Sequence, residues 1–394
     1  MSQLPISLSA DLTRLRNEGY NIEIKTNCLL IKEVPYVSEQ RQVQLGTLIS
    51  SLELAGDVTI QPNDHVMWID GTYPCSHEGN RLTQLVNETR VQDFGEGVVG
   101  QHSFSHKIVR EDRQYIDYYE KVTTYVGLLL QHARAIQPNA TATTFPVVEA
   151  DESISVFRYL DTASTRAGIG AQSDKLKLGK VAIVGLGGTG SYILDLVAKT
   201  PVTEIHLFDG DVFSQHNAFR SPGAISVEDL RTKPNKAVYL AGAYGKMRRN
   251  IFANADYIDS KNIERLREMN FIFLSLDNGT SKKEIIAKLH EWGISFVDVG
   301  MGIQLTDGAL HGMLRTTTSV AGESVDATDR IPLTGDNEHN EYSTNIQIAD
   351  LNAMNAALAV VKWKKLYGFY ADMEEERFSV YNIDGNNINN NSPA

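Results

Sequence analysis

One stretch constrains the fold of this chain more than any other: Val181-Ala-Ile-Val-Gly-Leu-Gly-Gly-Thr-Gly-Ser-Tyr192. The apolar run predicts a buried strand. Gly185, Gly187, Gly188 and Gly190 predict a tight turn, and the apolar residues that follow predict a helix. Strand, glycine turn and helix in this order make up a nucleotide-binding βαβ unit. Its glycines permit a sharp turn and let the backbone approach a phosphate, and the helix offers unpaired N–H groups to it. The motif alone leaves open which nucleotide binds, or whether the turn is merely tight.

The surrounding sequence narrows the class. With 394 residues and about 150 per domain, two or three domains are expected. The formal charge is −12 with no basic run, which argues against nucleic-acid binding. No apolar run is long enough to cross a bilayer, and the N-terminus lacks a signal-like core, so a cytoplasmic setting is expected. Cys28 and Cys75 are the two cysteines. That number provides neither a disulfide framework nor a four-cysteine zinc site, so no structural zinc is expected.

Residues 1–150 read as a small α+β domain: a helix at Leu8–Glu18, several β-like runs between Asn21 and Asp70, then a long helix at Tyr115–Ile136. A proline-bounded connector, Pro138–Pro146, follows. Residues 151–385 alternate. Strands are expected at Val181–Val184, Glu204–Asp209, Phe271–Asp277 and Ser295–Gly300, with helices between them. This predicts an α/β, Rossmann-like, doubly wound parallel sheet. A helix at Gln347–Tyr367 reads as a packing or dimer element, and Arg377–Ile383 as a last strand. The asparagine-rich tail, 386–394, reads as disordered.

The residues past the second strand separate the possible nucleotides. Asp209 stands where an acidic side chain binds ribose hydroxyls, in NAD or ATP alike. After Asp209-Gly-Asp211 come Asn217, Arg220 and Lys236, a polar cluster suited to a triphosphate. Asp277 ends the fourth strand at the sheet's carboxyl edge, where a carboxylate suits magnesium on phosphates. Each residue also has a plain structural alternative. Asp209 and Asp211 can cap a strand and a turn, Arg220 and Lys236 can be surface charges, and Asp277 can open the Asp-Asn-Gly turn.

Taken together, Gly185–Gly190, Asp209-x-Asp211, Asn217-x-x-Arg220, Lys236 and Asp277 make residues 153–370 resemble the ThiF/MoeB family, the adenylating domain of ubiquitin-activating-type enzymes. The resemblance implies ATP-dependent adenylation of a carboxylate, with a ubiquitin-like protein's C-terminal glycine as substrate. It implies that Asp209 holds the ribose, that Asn217, Arg220 and Lys236 hold the triphosphate, and that Asp277 holds magnesium. It also implies a homodimer in which Arg166 reaches the partner's site. Arg166 can equally be a helix-surface charge. The glutamine usual after the arginine of the Asn-x-x-Arg motif is Ser221 here.

Many relatives pass the acyl group on to a cysteine, yet residues 150–394 contain none. A thiol must then come from the first domain or from another protein, such as a conjugating enzyme. Cys75, in the turn-rich Tyr73-Pro-Cys-Ser-His77, is therefore expected to be exposed. His65 and His77 lie near it in sequence, and the helix–strands–helix order is loosely similar to a ubiquitin-conjugating fold. The alternative is that Cys75 is a small core residue. A zinc site from His65, Cys75 and His77 lacks a fourth ligand. Rival readings are adenylation of a small molecule, RNA or peptide without a thioester, and a scaffold with a dead nucleotide site.

Overall fold

The computed structural model describes residues 4–108, 114–277, 279–323, 327–333 and 346–391. The chain divides into two units, Met1–Asp151 and Glu152–Ala394, each with its own sheet and core.

The first unit begins with helices α1 (Leu4–Leu8) and α2 (Ala10–Asn17). Strands β1 (Asn21–Lys25), β2 (Cys28–Val37) and β3 (Val43–Ser51) follow, then a short pair, β4 (Leu54–Ala55) and β5 (Val58–Thr59). Next come β6 (Val66–Asp70), β7 (Val86–Gly95), β8 (Val98–Ser105) and helix α3 (Tyr118–Ile136). The main sheet is antiparallel, in the order β1-β2-β3-β6-β8-β7. The pleat of β2 sends Leu29 and Ile31 to one core and Cys28 and Leu30 to a smaller one on the opposite face. Helix α3 is started by Asp117, whose carboxylate accepts the Glu120 N–H at 2.8 Å. Its Tyr118, Val122, Tyr125, Val126 and Leu129 recur at helical spacing and join the Leu29–Ile31 core. The sequence reading misses β7 and β8. Strand β7 is an edge strand, largely exposed, so it carries no apolar alternation to be read.

The second unit opens with α4 (Thr162–Arg166) and α5 (Gly170–Asp174), then β9 (Lys180–Val184), α6 (Gly188–Val197) and β10 (Glu204–Phe208). Helices α7 (Gln215–Ala218), α8 (Val227–Arg231) and α9 (Lys236–Tyr244) lead to β11 (Ile251–Asn254) and β12 (Phe271–Leu274). Helix α10 (Gly279–Trp292) precedes a long hairpin, β13 (Phe296–Thr306) and β14 (Ala309–Ser319). Helix α11 (Ala349–Leu366) and a second hairpin, β15 (Phe378–Asn382) and β16 (Asn387–Asn391), complete the unit.

The sheet runs β11-β10-β9-β12-β13-β14-β15-β16, parallel from β11 to β13 and antiparallel beyond. The Rossmann-like half is as expected; the antiparallel extension is not foreseen, since the predicted strand at 295–300 continues to Thr306. Strand β9 is fully paired on both sides, so Val181 and Ile183 enter one core and Ala182 and Val184 the other. Helices α6, α9 and α11 share the first core, and α10 covers the second. From β9 the chain first builds outward through β10 to β11, then returns to place β12 on β9's other side. This reversal opens a crevice at the carboxyl ends of β9 and β12.

One expectation is corrected here and another is met. Residues 387–391 of the asparagine-rich tail form β16, paired with β15; residues 392–394 lie outside the described residues. An edge strand needs only backbone partners. The asparagines contribute what low apolarity hides: Asn386 takes the left-handed turn position at φ 48°, and Asn390 accepts the Ser379 hydroxyl at 2.6 Å. Helix α11 is the packing element that the sequence predicts as one of two alternatives. Its Ala356, Ala359, Val360 and Trp363 pack against Ile193, Leu194 and Val197 within the same unit, so that side is taken.

Candidate active site

The glycine turn sits at the crevice. Gly185 has φ +87°, and a Cβ there would lie 2.3 Å from the Ser275 carbonyl oxygen of the chain leaving β12. A Cβ on Gly190 would lie 1.9 Å from the Gly185 oxygen, and one on Gly188 2.1 Å from Asn352 Nδ2. These glycines are demanded by the protein's own close packing. Gly187 is different: nothing lies within 4 Å of its would-be Cβ, so its bare backbone faces open space. That is where a ligand can approach the start of α6.

The two aspartates after β10 have separate fates. Asp209 is buried, and both its oxygens are occupied by backbone: Leu186 N–H donates at 2.7 Å and Asp211 N–H at 2.8 Å. It ties the glycine turn to the neighbouring strand. Asp211 is about half exposed, its side chain 49% accessible, and Lys236 Nζ donates to its Oδ2 at 2.6 Å. Lys236 is buried and also lies 3.6 Å from Asp209 Oδ1. Burial would raise the Asp211 carboxyl, but bonds from Lys236 and Tyr257 outweigh it and hold the group below the usual carboxylate range.

Lys236 is held in place by helix capping. Asn235 accepts the Val238 N–H at 3.2 Å and starts α9, while its amide donates to the Asp209 and Asp211 carbonyls at 2.8 and 3.0 Å. Asn235 was not foreseen as a site residue, although its place before a helix start is legible. Asn217 is buried in α7. Its side-chain oxygen accepts the Ser214 N–H at 2.8 Å, and its Nδ2 has no protein partner. Arg220 is half buried with Nε unpartnered, and the buried Ser221 hydroxyl is unpartnered too. Buried donors without acceptors are costly and rare. Three in five residues, beside a buried lysine at a strand's carboxyl edge, form a cradle of donors suited to an anion.

Asp277 follows β12 on the far side of the glycine turn. Solvent reaches it, yet protein crowds it on most sides, and this desolvation pushes its carboxyl above the ordinary range. Lys282, Arg220 and Lys236 are near enough to pull it back, and Asp298 adds to the rise. Gln347 Nε2 lies 3.5 Å from its Oδ2. The Asn278 of the Asp-Asn-Gly turn lies outside the described residues. Lys282 itself pairs with the fully buried Asp298 at 2.8 Å, and Arg315 takes the other oxygen at 2.7 Å. Burial, and then the nearby Arg220 and Lys236, lower the His216 pKa. The structure thus brings Gly185–Gly190, Asp209, Asp211, Asn217, Arg220, Lys236 and Asp277 to one edge of the sheet. Sequence reasoning missed Asn352, which sits in α11, accepts the Thr189 hydroxyl at 2.9 Å and packs on Gly188. A buried asparagine within an apolar helix was the available signal.

Two residues stand elsewhere. Arg166 ends α4, exposed. Cys75 is a correction: it is 1% exposed, packed with Val37, Ala133 and Ala140, and its thiol donates to the Tyr73 carbonyl at 3.4 Å. Cys75 pairs with Val37 and Arg81 in isolated bridges, which fold the turn-rich segment back over it. Burial pushes its thiol up, away from thiolate. His65 bonds Ser105 and His77 stacks on His132. Among the described residues, no three His, Cys, Asp or Glu side chains converge to hold a metal.

A strand–glycine turn–helix unit at the switch point of a parallel sheet, edged by acid, arginine and lysine, defines a nucleotide-binding α/β protein. The ThiF family matches residues 163–390, more than half of the chain, and the protein belongs to that family of adenylyltransferases. Residues 10–162 match a domain of unknown function, DUF6791. No curated protein matches the chain. Solved structures similar to it include E. coli MccB with succinimide, 19% identical over 56% of this chain and 66% of that one, TM-score 0.44. The chain therefore spans a little under two thirds of that structure. E. coli MccB with MccA-N7isoASN is 15% identical over 78% of this chain and 95% of that one, TM-score 0.48. E. coli tRNA N6-threonylcarbamoyladenosine dehydratase, TcdA, is 19% identical over 52% and 92%, TM-score 0.40. Among the described residues, no helix is long and apolar enough to cross a membrane.

Proposed function

We propose that the second unit uses ATP to adenylate the C-terminal glycine carboxylate of a ubiquitin-like protein. The observation that carries the nucleotide part is the set of unpartnered donors, Asn217 Nδ2, Arg220 Nε and Ser221 Oγ, beside Lys236. A phosphate chain would supply the missing acceptors. Open space at Gly187 gives it room at the start of α6. Asp211, half exposed where Asp209 is buried, is the carboxylate available to ribose. The single carboxylate of Asp277 fits magnesium, which keeps most of its ligands as water and phosphate oxygen. When bound, the ion neutralises phosphate charge.

The carboxylate oxygen of the substrate attacks the α-phosphorus, and the bond from that phosphorus to the bridging oxygen of pyrophosphate breaks. Pyrophosphate leaves with the electron pair, and an acyl-adenylate remains. The protein's residues align the reactants and offset charge: Arg220 and Lys236 face the phosphates in a site whose donors are already fixed. A protein substrate is supported by the presence of a separate helix–sheet–helix unit in the same chain. A conjugating enzyme as acyl acceptor and a homodimer in which exposed Arg166 reaches a second copy's site belong to the same reading.

A second reading has its own support. Residues 152–394 hold no cysteine and Cys75 is buried, which favours direct transfer from the adenylate to an amine or sulfur on a small molecule, RNA or peptide. ATP–pyrophosphate exchange separates the two. Exchange that requires a ubiquitin-like protein with an intact C-terminal glycine, and is lost in Asp277→Ala, supports the first. Exchange only with small acids or peptides moves the assignment to the second. No ATP binding at all leaves a non-catalytic scaffold.

A further inference from the structure

Tyr257 is an aromatic side chain left 61% exposed beside the aspartate pair. Its hydroxyl donates to Asp211 Oδ1, while Lys236 holds Oδ2. Its ring lies on the backbone of Gly210, where a Cβ would come within 2.6 Å of the ring carbons. The segment that carries it is itself anchored: Asn262 Nδ2 donates to the Tyr257 carbonyl at 2.8 Å, and Asn262 Oδ1 accepts the Asp259 N–H at 2.9 Å. The glycine between the two aspartates is therefore the seat of a tyrosine whose polar end reaches the more exposed carboxylate. Burial of an apolar ring does not account for this placement, because most of the ring stays in water.

Resting on the nucleotide reading above, we propose that Tyr257 is a positioning residue for the nucleoside: it fixes the rotamer of Asp211 so that the carboxylate's remaining lone pairs meet the ribose hydroxyls. A carboxylate has about four acceptor directions. Lys236 and Tyr257 use one on each oxygen and leave room for a hydroxyl pair. Without the tyrosine, Asp211 is free to rotate about its side-chain bonds around the lysine alone, and part of the binding energy goes into ordering it.

The test is calorimetric binding of ATP, 2′-deoxy-ATP and 3′-deoxy-ATP to the full chain and to Tyr257→Phe and Gly210→Ala. Tyr257→Phe removes only the hydroxyl; Gly210→Ala leaves the hydroxyl and pushes the ring off its seat. Both variants should weaken ATP about fivefold and the deoxy nucleotides less than about twofold, narrowing the preference for ribose. Equal weakening of all three nucleotides would mean a merely structural tyrosine and overturn the proposal, as would unchanged ATP binding. If the wild-type chain binds no ATP, the nucleotide reading itself fails, an outcome distinct from a wild type that binds ATP and a variant that does not differ from it.

Discussion

Each of the two units buries a lysine beside a carboxylate. In the first, Lys121 is fully enclosed on α3 and donates to Asp64 at 2.8 Å; Asp64 also accepts the Val66 N–H and the Ser51 hydroxyl. Burial lowers the Lys121 pKa, yet every charged atom there has a partner within the unit. In the second, Lys236 donates to Asp211 at 2.6 Å, but three neighbouring donors have no protein acceptor. A buried charge alone therefore does not mark a site. The first arrangement is closed and serves the fold, whereas the second is left open at the edge of a sheet.

The comparison breaks most sharply under paired substitutions. Arg220→Ala removes a half-buried guanidinium whose Nε has no protein partner. Pyrophosphate exchange should fall about 10²–10³-fold, with stability unchanged within about 0.5 kcal/mol. Lys121→Met should do the reverse. It leaves a carboxylate that is 36% exposed and keeps two other donors, so the loss is about 1–3 kcal/mol in urea unfolding, below that of a wholly buried pair. Exchange per folded molecule should stay at the wild-type level. A stability loss in Arg220→Ala that equals the Lys121→Met loss would erase the distinction.

The same contrast explains what could be read in advance. The second unit's site was legible because its chemistry is tied to short local patterns: glycines forced by backbone approach, Asp209 at a strand end, Lys236 at a helix start. The sheet's antiparallel half was overlooked although it carries one local sign: Asp307-Gly308, both at positive φ, is the two-residue turn of the β13–β14 hairpin. Spacing marks Asp209 and Asp211 alike; that the first is buried and the second half exposed is set by the fold around them and has no trace in the local sequence. In the first unit, proline and histidine around Cys75 read as an exposed turn. Bridges to Val37 and Arg81 fold that turn over the thiol, and such long-range pairing has no trace in the local sequence.

Cys75→Ala tests the closed side of the comparison at a smaller scale. Deleting a buried sulfur should cost about 1 kcal/mol of stability and leave pyrophosphate exchange unchanged. Reaction of native protein with a thiol reagent should be slow until the first unit unfolds. Fast labelling together with a lost adduct in the alanine variant would reopen a covalent role for that unit.

The smallest stability effect expected concerns Asp277, and its sign is the informative part. Its carboxyl is raised above the ordinary value of 3.8, chiefly by burial, with Lys282 and Arg220 opposing. A raised carboxyl means that the fold disfavours the charged form. Stability is then lost as pH rises from about 3.8 through the folded value, and it stays lost at neutral pH. Asp277→Asn should therefore melt about 1–2 °C above wild type at pH 7, with the gap closing as pH approaches 4, while exchange is lost. This carboxylate is reached by solvent, which keeps the shift small. A lower melting temperature at pH 7 would mean that Asp277 is held by Gln347 and Lys282 as a structural partner. It would then belong with Asp64 on the closed side of the comparison, and the magnesium role proposed for it would fall.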